Sequence, residues 1–193
     1  MRKFMNREEA FTGLEAAIVL IAFVVVAAVF SYVVLGAGFF TTGKSQEAVA
    51  SGVAQASSSM QILGDVYGLG DSSTQKLTGV QFTLGLTAGG SAIDLNKTTL
   101  IWSTADTIKT LTYKGNISAD DVKAGEWSII EQNNGDKDFL LEDYEQFVIK
   151  AMPFDGIGAN TNFKLELRPS IGATIAIDEK VPPQVDAVMD LTR

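Results

Sequence analysis

The chain of 193 residues contains no cysteine and no histidine. Without thiols there are no disulfides and no thiolate nucleophile, and without imidazole there is no His-based triad, no haem-histidine ligation and no zinc-finger site. Stability must therefore come from packing and assembly, because no covalent staple exists. Catalysis is a poor expectation. Paired carboxylates for glycosidase chemistry could be drawn from any chain this acidic, and nothing in the sequence places a cleft between two of them. Gly68-Leu69-Gly70 and the stretch from Gly85 to Gly90 lack the Gly-Lys-[Ser/Thr] ending and the spaced G-x-G-x-x-G of phosphate loops, and read as turns. Positive charge is also scarce, with 15 Lys and Arg against 23 Asp and Glu and a net charge of -8. Such a balance disfavours nucleic acid, whose phosphates need cationic side chains to displace counterions. The acidic pairs Asp120-Asp121 and Glu142-Asp143 offer oxygen ligands for a hard cation, but without calcium-loop spacing they read as solvated surface charge. No cofactor and no metal ion is expected.

What the chain has in excess is a single apolar run. No residue from Ala16 to Gly43 is charged, and a helix of that length, roughly 40 Å, would cross the ~30 Å hydrocarbon core of a bilayer. Residues 14 to 40 are apolar on all faces, interrupted only by Glu15, Ser31 and Tyr32, which is the pattern of a helix buried everywhere. Arg2, Lys3, Arg7, Glu8 and Glu9 precede the run, and a small residue, Gly13, stands before it. An ordinary secretory signal is cut after its apolar stretch. A cut at Gly13 would instead leave the apolar helix in the product.

Gly13 followed by Leu14-Glu15-Ala16-Ala17-Ile18-Val19-Leu20-Ile21-Ala22-Phe23-Val24-Val25-Val26-Ala27-Ala28-Val29-Phe30 resembles the class III signal and N-terminal helix of archaellins, the subunits of the archaeal swimming filament. The match covers roughly the first 60 residues well and the rest in general character. Phe11 and Thr12 stand where the family usually has basic residues, and the acid Glu15 is second after the glycine, not fifth as in bacterial type IV pilins. The resemblance implies cleavage between Gly13 and Leu14 by a prepilin-peptidase-like signal peptidase, with residues 1–13 removed as a leader. That leader carries a net charge of +1, so the mature chain is left near -9. It also implies an extracellular filament, a precursor in the cytoplasmic membrane, and as partners further copies or other archaellins together with archaellum assembly and motor proteins. An archaeal adhesion pilin would share the leader, helix and outer domain, and a membrane-anchored surface protein binding a solute is a more distant alternative. The length of helix beyond Gly43 favours assembly over a simple anchor.

The run from Leu14 to roughly Leu63 reads as one helix, apolar first and amphipathic from Lys44, where Val49, Val53, Ala54 and Met60 could lie against a domain of the same chain. Its all-apolar part, including Ile18, Leu20, Phe23, Val25, Ala28 and Phe30, is expected in a filament core. Gly36 and Gly38 mark a bend or close helix contact, or simply the frequency of glycine in membrane helices. Residues 64–193 read as a β domain. Alternating or apolar segments at 77–86, 93–95, 100–102, 107–113, 127–130, 145–149, 163–167 and 174–177 are separated by turn residues, with bulges or bends expected at Gly79 and Gly85. The expected class is α+β: a long N-terminal hydrophobic helix followed by an antiparallel β-sandwich or barrel-like domain. The tail from Val181 through Pro182-Pro183 cannot begin as a central strand, because proline has no donor for the ladder, and an edge strand is open to its end. Asn96-Lys97-Thr98 and Asn116-Ile117-Ser118 match N-x-[Ser/Thr], so Asn96 and Asn116 are candidate N-glycosylation sites that must face outward.

Overall fold

The computed structural model describes residues 7–192, and for residues 7–12, 54 and 57 the backbone alone; the charged leader residues Arg2 and Lys3 lie outside the described part. One helix, α1, runs from Arg7 to Ser57 without interruption, through Gly13, Gly36 and Gly38. It stops six residues before the expected end at Leu63. Ser58 is buried and its carbonyl accepts the Ala173 N–H at 3.2 Å, while the Ser59 carbonyl accepts the N–H and the hydroxyl of Thr87, each at 2.9 Å. Those contacts commit the backbone to the β domain, and Met60 to Leu63 go into a strand. The chain divides into two compact units, Met1–Ser51 and Gly52–Arg193, so the second unit begins well before residue 64.

Among the described residues twelve strands follow: β1 (Met60–Asp71), β2 (Lys76–Leu86), β3 (Ile93–Asp94), β4 (Thr99–Thr104), β5 (Ile108–Asn116), β6 (Glu126–Asn133), β7 (Leu140–Leu141), β8 (Gln146–Ala151), β9 (Ile157–Gly158), β10 (Asn162–Arg168), β11 (Ile175–Lys180) and β12 (Val188–Asp190). The main sheet has the order β11-β10-β4-β5-β6-β8-β2-β1-β12, with β9 extending the pairing of β2, and β3 and β7 form a small separate sheet. All pairs are antiparallel except β5 with β6, which run parallel. Strand β5 serves both halves of the sheet: Ile108 to Leu111 pair with β4, and Thr112 to Asn116 pair with β6. Ala173, just ahead of the edge strand β11, bonds to Ser58, just ahead of β1 near the other side of the sheet, without forming a ladder.

The alternation legible in the sequence is the one that fills the core. Val80, Phe82 and Leu84 of β2, Leu100 and Trp102 of β4, Trp127 and Ile129 of β6, Phe147 and Ile149 of β8, and Phe163, Leu165 and Leu167 of β10 belong to one buried cluster. Each such side chain contributes about 1.5–3 kcal/mol by leaving water. Trp102 stacks on Phe163 with ring centroids 4.8 Å apart, and Tyr113 tilts against Trp127 at 4.4 Å. The tail ends as an edge strand, β12 beside β1, and its two prolines stay outside the ladder.

Two glycine readings change. Gly68-Leu69-Gly70 is not a turn but part of β1. A Cβ on Gly70 would collide with Val185, with the Asp186 carbonyl and with Met189, so only glycine lets the tail cross the strand this closely. Gly85 pairs in regular register with Gln61 and Gln146 and makes no bulge; the space above it is filled by Leu63. The register shift on β2 falls at Thr78, next to Gly79.

Candidate assembly surface and modification positions

From Gly13 to Val53 the helix spans 41 residues, long and apolar enough to cross a bilayer, and none of it is buried. Successive residues lie about 100° apart around a helix, so Ile18, Val19, Leu20 and Ile21 alone face every direction. Ile18, Leu20, Phe23, Val25 and Phe30 are between 55 and 76% exposed, and Ala28 is exposed among them. Soluble proteins rarely leave a continuous apolar surface of this extent open, and one that does marks contact with a membrane or with protein. The polar groups on the helix suit the same end. The Thr41 and Thr42 hydroxyls donate to the carbonyls of Ala37 and Gly38, each at 2.8 Å, so neither carries an unmet donor into an apolar setting. Charge returns with Lys44, paired to Glu47 at 2.7 Å. In the amphipathic half Val49 and Val53 are 67 and 61% exposed. Gly13 and Leu14 sit within the helix and are exposed.

The two sequons are on the β domain and differ in setting. Asn96 is exposed in a 3-10 turn, Leu95–Lys97, capped by Asp94, whose Oδ1 accepts the Asn96 N–H at 3.0 Å. Burial alone would raise the Asp94 carboxyl, but the Lys97 ammonium and the Asn96 N–H bonded to it leave it lowered. Asn116 is the exposed last residue of β5.

The remaining candidates stay dispersed. Asp120, Asp121, Glu142 and Asp143 are exposed, and among the described residues no three Asp or Glu side chains converge to hold an ion. Sequence reasoning passed over Glu166, which joins Lys164 at 2.7 Å and Arg168 at 2.6 Å on the outer face of β10. Bonds from both cations lower its carboxyl. The signal was present in Lys164-Leu165-Glu166-Leu167-Arg168, where strand alternation puts all three charges on one side. Glu179 behaves oppositely: burial, then the charges of Asp178 and Asp190, push its carboxyl up.

Comparison with known proteins extends beyond the N-terminal helix. A profile of the family described as archaeal-type flagellin matches residues 10–179. The protein named probable flagellin 1 of Archaeoglobus fulgidus is 45% identical over 203 aligned positions, covering 99% of this chain and 98% of that one. The solved archaeal flagellum of Methanospirillum hungatei strain JF1 matches with a TM-score of 0.72 and 32% identity, over 93% of this chain and 98% of its own. The crystal structure of an archaeal flagellin from Methanocaldococcus jannaschii shares the fold, with a TM-score of 0.59 at 16% identity over 69% of this chain and 96% of that one. On a profile spanning most of its length and 45% identity to a flagellin from end to end, the chain belongs to the archaeal-type flagellin family.

Proposed function

We propose that this chain is a structural subunit of the archaellum, held in the cytoplasmic membrane as a precursor and polymerised outside the cell through its N-terminal helix, with copies of itself or with other archaellins. The observation that carries this reading is a helix apolar on every face and exposed along its whole apolar length, on a chain of the archaeal-type flagellin family. Such a helix is stable in lipid and equally stable among sister helices. Because its Val and Ala side chains are already out of water in lipid, the exchange gains little hydrophobic free energy and depends on close packing. A contact between unlike surfaces that does not close into a ring then propagates as a helical filament. The β domain, whose own core is complete, takes the exterior, and glycans on Asn96 and Asn116 would face the medium. The role is structural, not catalytic.

By the same reading, a prepilin-peptidase-like enzyme cuts between Gly13 and Leu14, and assembly and motor proteins of the archaellum are partners. Mass spectrometry of purified surface filaments tests it: subunits should begin at Leu14. Replacing Gly13 by a bulky residue should leave uncleaved precursor in the membrane and no filaments. Subunits beginning beyond Phe40 would mean that the helix is an ordinary signal and would overturn the reading.

A further inference from the structure

The two sequons are equivalent as sequence and opposite as structure. In the first, Thr98 is only 5% exposed; its hydroxyl donates to the Asp94 carbonyl at 3.2 Å and its N–H to the Leu95 carbonyl at 3.2 Å. Leu95 is fully buried and its N–H donates to the Phe139 carbonyl at 3.0 Å. Asp94 closes the turn from both sides, accepting the Asn96 N–H at 3.0 Å and holding the Lys97 ammonium at 3.0 Å. In the second, Asn116 and Ser118 are both exposed, and Ser118 has the extended angles φ -60° and ψ 145°. The Ser118 hydroxyl makes no side-chain hydrogen bond to cap the turn that follows it. The chain turns away from β5 at this point: the Ile117 N–H donates to the Ile129 carbonyl at 3.2 Å, and the Ser118 carbonyl accepts the Asp121 N–H at 3.0 Å.

An oligosaccharyltransferase selects its site by the hydroxyl two residues after the asparagine. The reaction joins the asparagine Nδ2 to the anomeric carbon of a lipid-linked glycan; the bond from that carbon to the lipid phosphate breaks, and the amide proton leaves with the phosphate. For the enzyme to engage Thr98, the turn must unwind, the Asp94 and Leu95 bonds must break, and Leu95 must come out of the core. That is loss of the domain's packing rather than local fraying. We propose that Asn96 accepts a glycan only before the β domain folds, whereas Asn116 accepts one on the folded chain. The inference rests on reading both sequons as glycosylation sites of an exported subunit. It gives the two sites different timing: the first is open only on the emerging chain, and the second stays open after the β domain has folded.

The test uses the full chain in detergent, incubated with membranes containing an archaeal oligosaccharyltransferase and its lipid-linked glycan. Trp127→Asp, which places a charge at a fully buried core position, supplies a full-length unfolded chain with both sequons intact, checked by circular dichroism. Peptide mapping by mass spectrometry should find the glycan on Asn116 alone in the folded wild type, and on both asparagines in Trp127→Asp. Equal occupancy of Asn96 in the two chains would overturn the proposal, as would an unmodified Asn116 in the folded chain when the unfolded one carries it. If neither asparagine is modified in either chain, the glycosylation reading itself fails and the timing falls with it.

Discussion

Phenylalanine ends in opposite states in the two regions of this chain. Phe23 and Phe30 in the helix are 76 and 69% exposed, whereas Phe82, Phe147 and Phe163 in the β domain are each 1% exposed. Residue type does not differ between these positions; the period of the neighbours does. In β10, apolar Phe163, Leu165 and Leu167 alternate with Lys164, Glu166 and Arg168, so one face can bury while the other meets water. From Ala16 to Phe30 no such division exists, and no single partner surface could cover the helix. A chain can complete its own core only where its apolar residues fall on one side. Where they fall on all sides, lipid or other molecules must complete it.

The sharpest way to break this contrast is Val25→Asp. It should abolish filaments in electron micrographs, because every subunit would bury an unpaired ion at a cost of several kcal/mol. The melting temperature of the β domain should not move. Normal filaments from this variant would place Val25 on the outside and refute the core assignment. Trp127→Ala reverses the pattern: it should remove about 3–5 kcal/mol from the β domain, read by urea denaturation of residues 52–193, and leave membrane insertion of the precursor intact.

Gly70→Val tests whether the tail is part of that domain core. The added side chain must displace Val185, Asp186 and Met189, and overpacking of this kind costs about 1–3 kcal/mol. No loss of stability would mean that the tail does not press on β1. The smallest effect is expected from Glu179→Gln. Burial, with Asp178 and Asp190, raises the Glu179 carboxyl above its unfolded value, so the folded state favours the protonated form and loses stability as pH rises through the folded pKa. The glutamine variant should therefore be slightly more stable at pH 7, by less than about 0.5 kcal/mol. Its advantage should vanish well below the ordinary glutamate pKa, as thermal melts at pH 7 and at acidic pH would show.

Much of the sheet was legible because its strands bury one face. Leu77 to Leu86, Leu100 with Trp102, and Phe163 to Leu167 announce β2, β4 and β10 through simple alternation. Strand β1 was not legible. Its start continues a helix locally, and Gly68 and Gly70 look like turn residues until the tail that packs against them is known. A practical consequence is that a β-domain fragment beginning at residue 65 would lose Met60 to Leu63 and their pairing with β2; one beginning at residue 52 keeps the strand. The parallel pairing of β5 with β6 left no mark either, since it depends on β8 and β4 occupying the other edges. Of the candidate positions, the sequons could be found by pattern, but the burial of Thr98 against the openness of Ser118 could not.

By itself the amino-acid sequence determined that this chain carries a helix apolar on every face, placed behind a small residue at its edge, and a domain of alternating strands. Both follow from local periodicity, which needs no knowledge of distant residues. Only the tertiary structure decided that the helix yields to β1 at Ser57, that the tail demands glycine at position 70, and that one sequon is locked while the other is open. Each of these turns on backbone or side-chain atoms brought together from far apart in the chain, and the free energy that selects them arises only once those atoms meet.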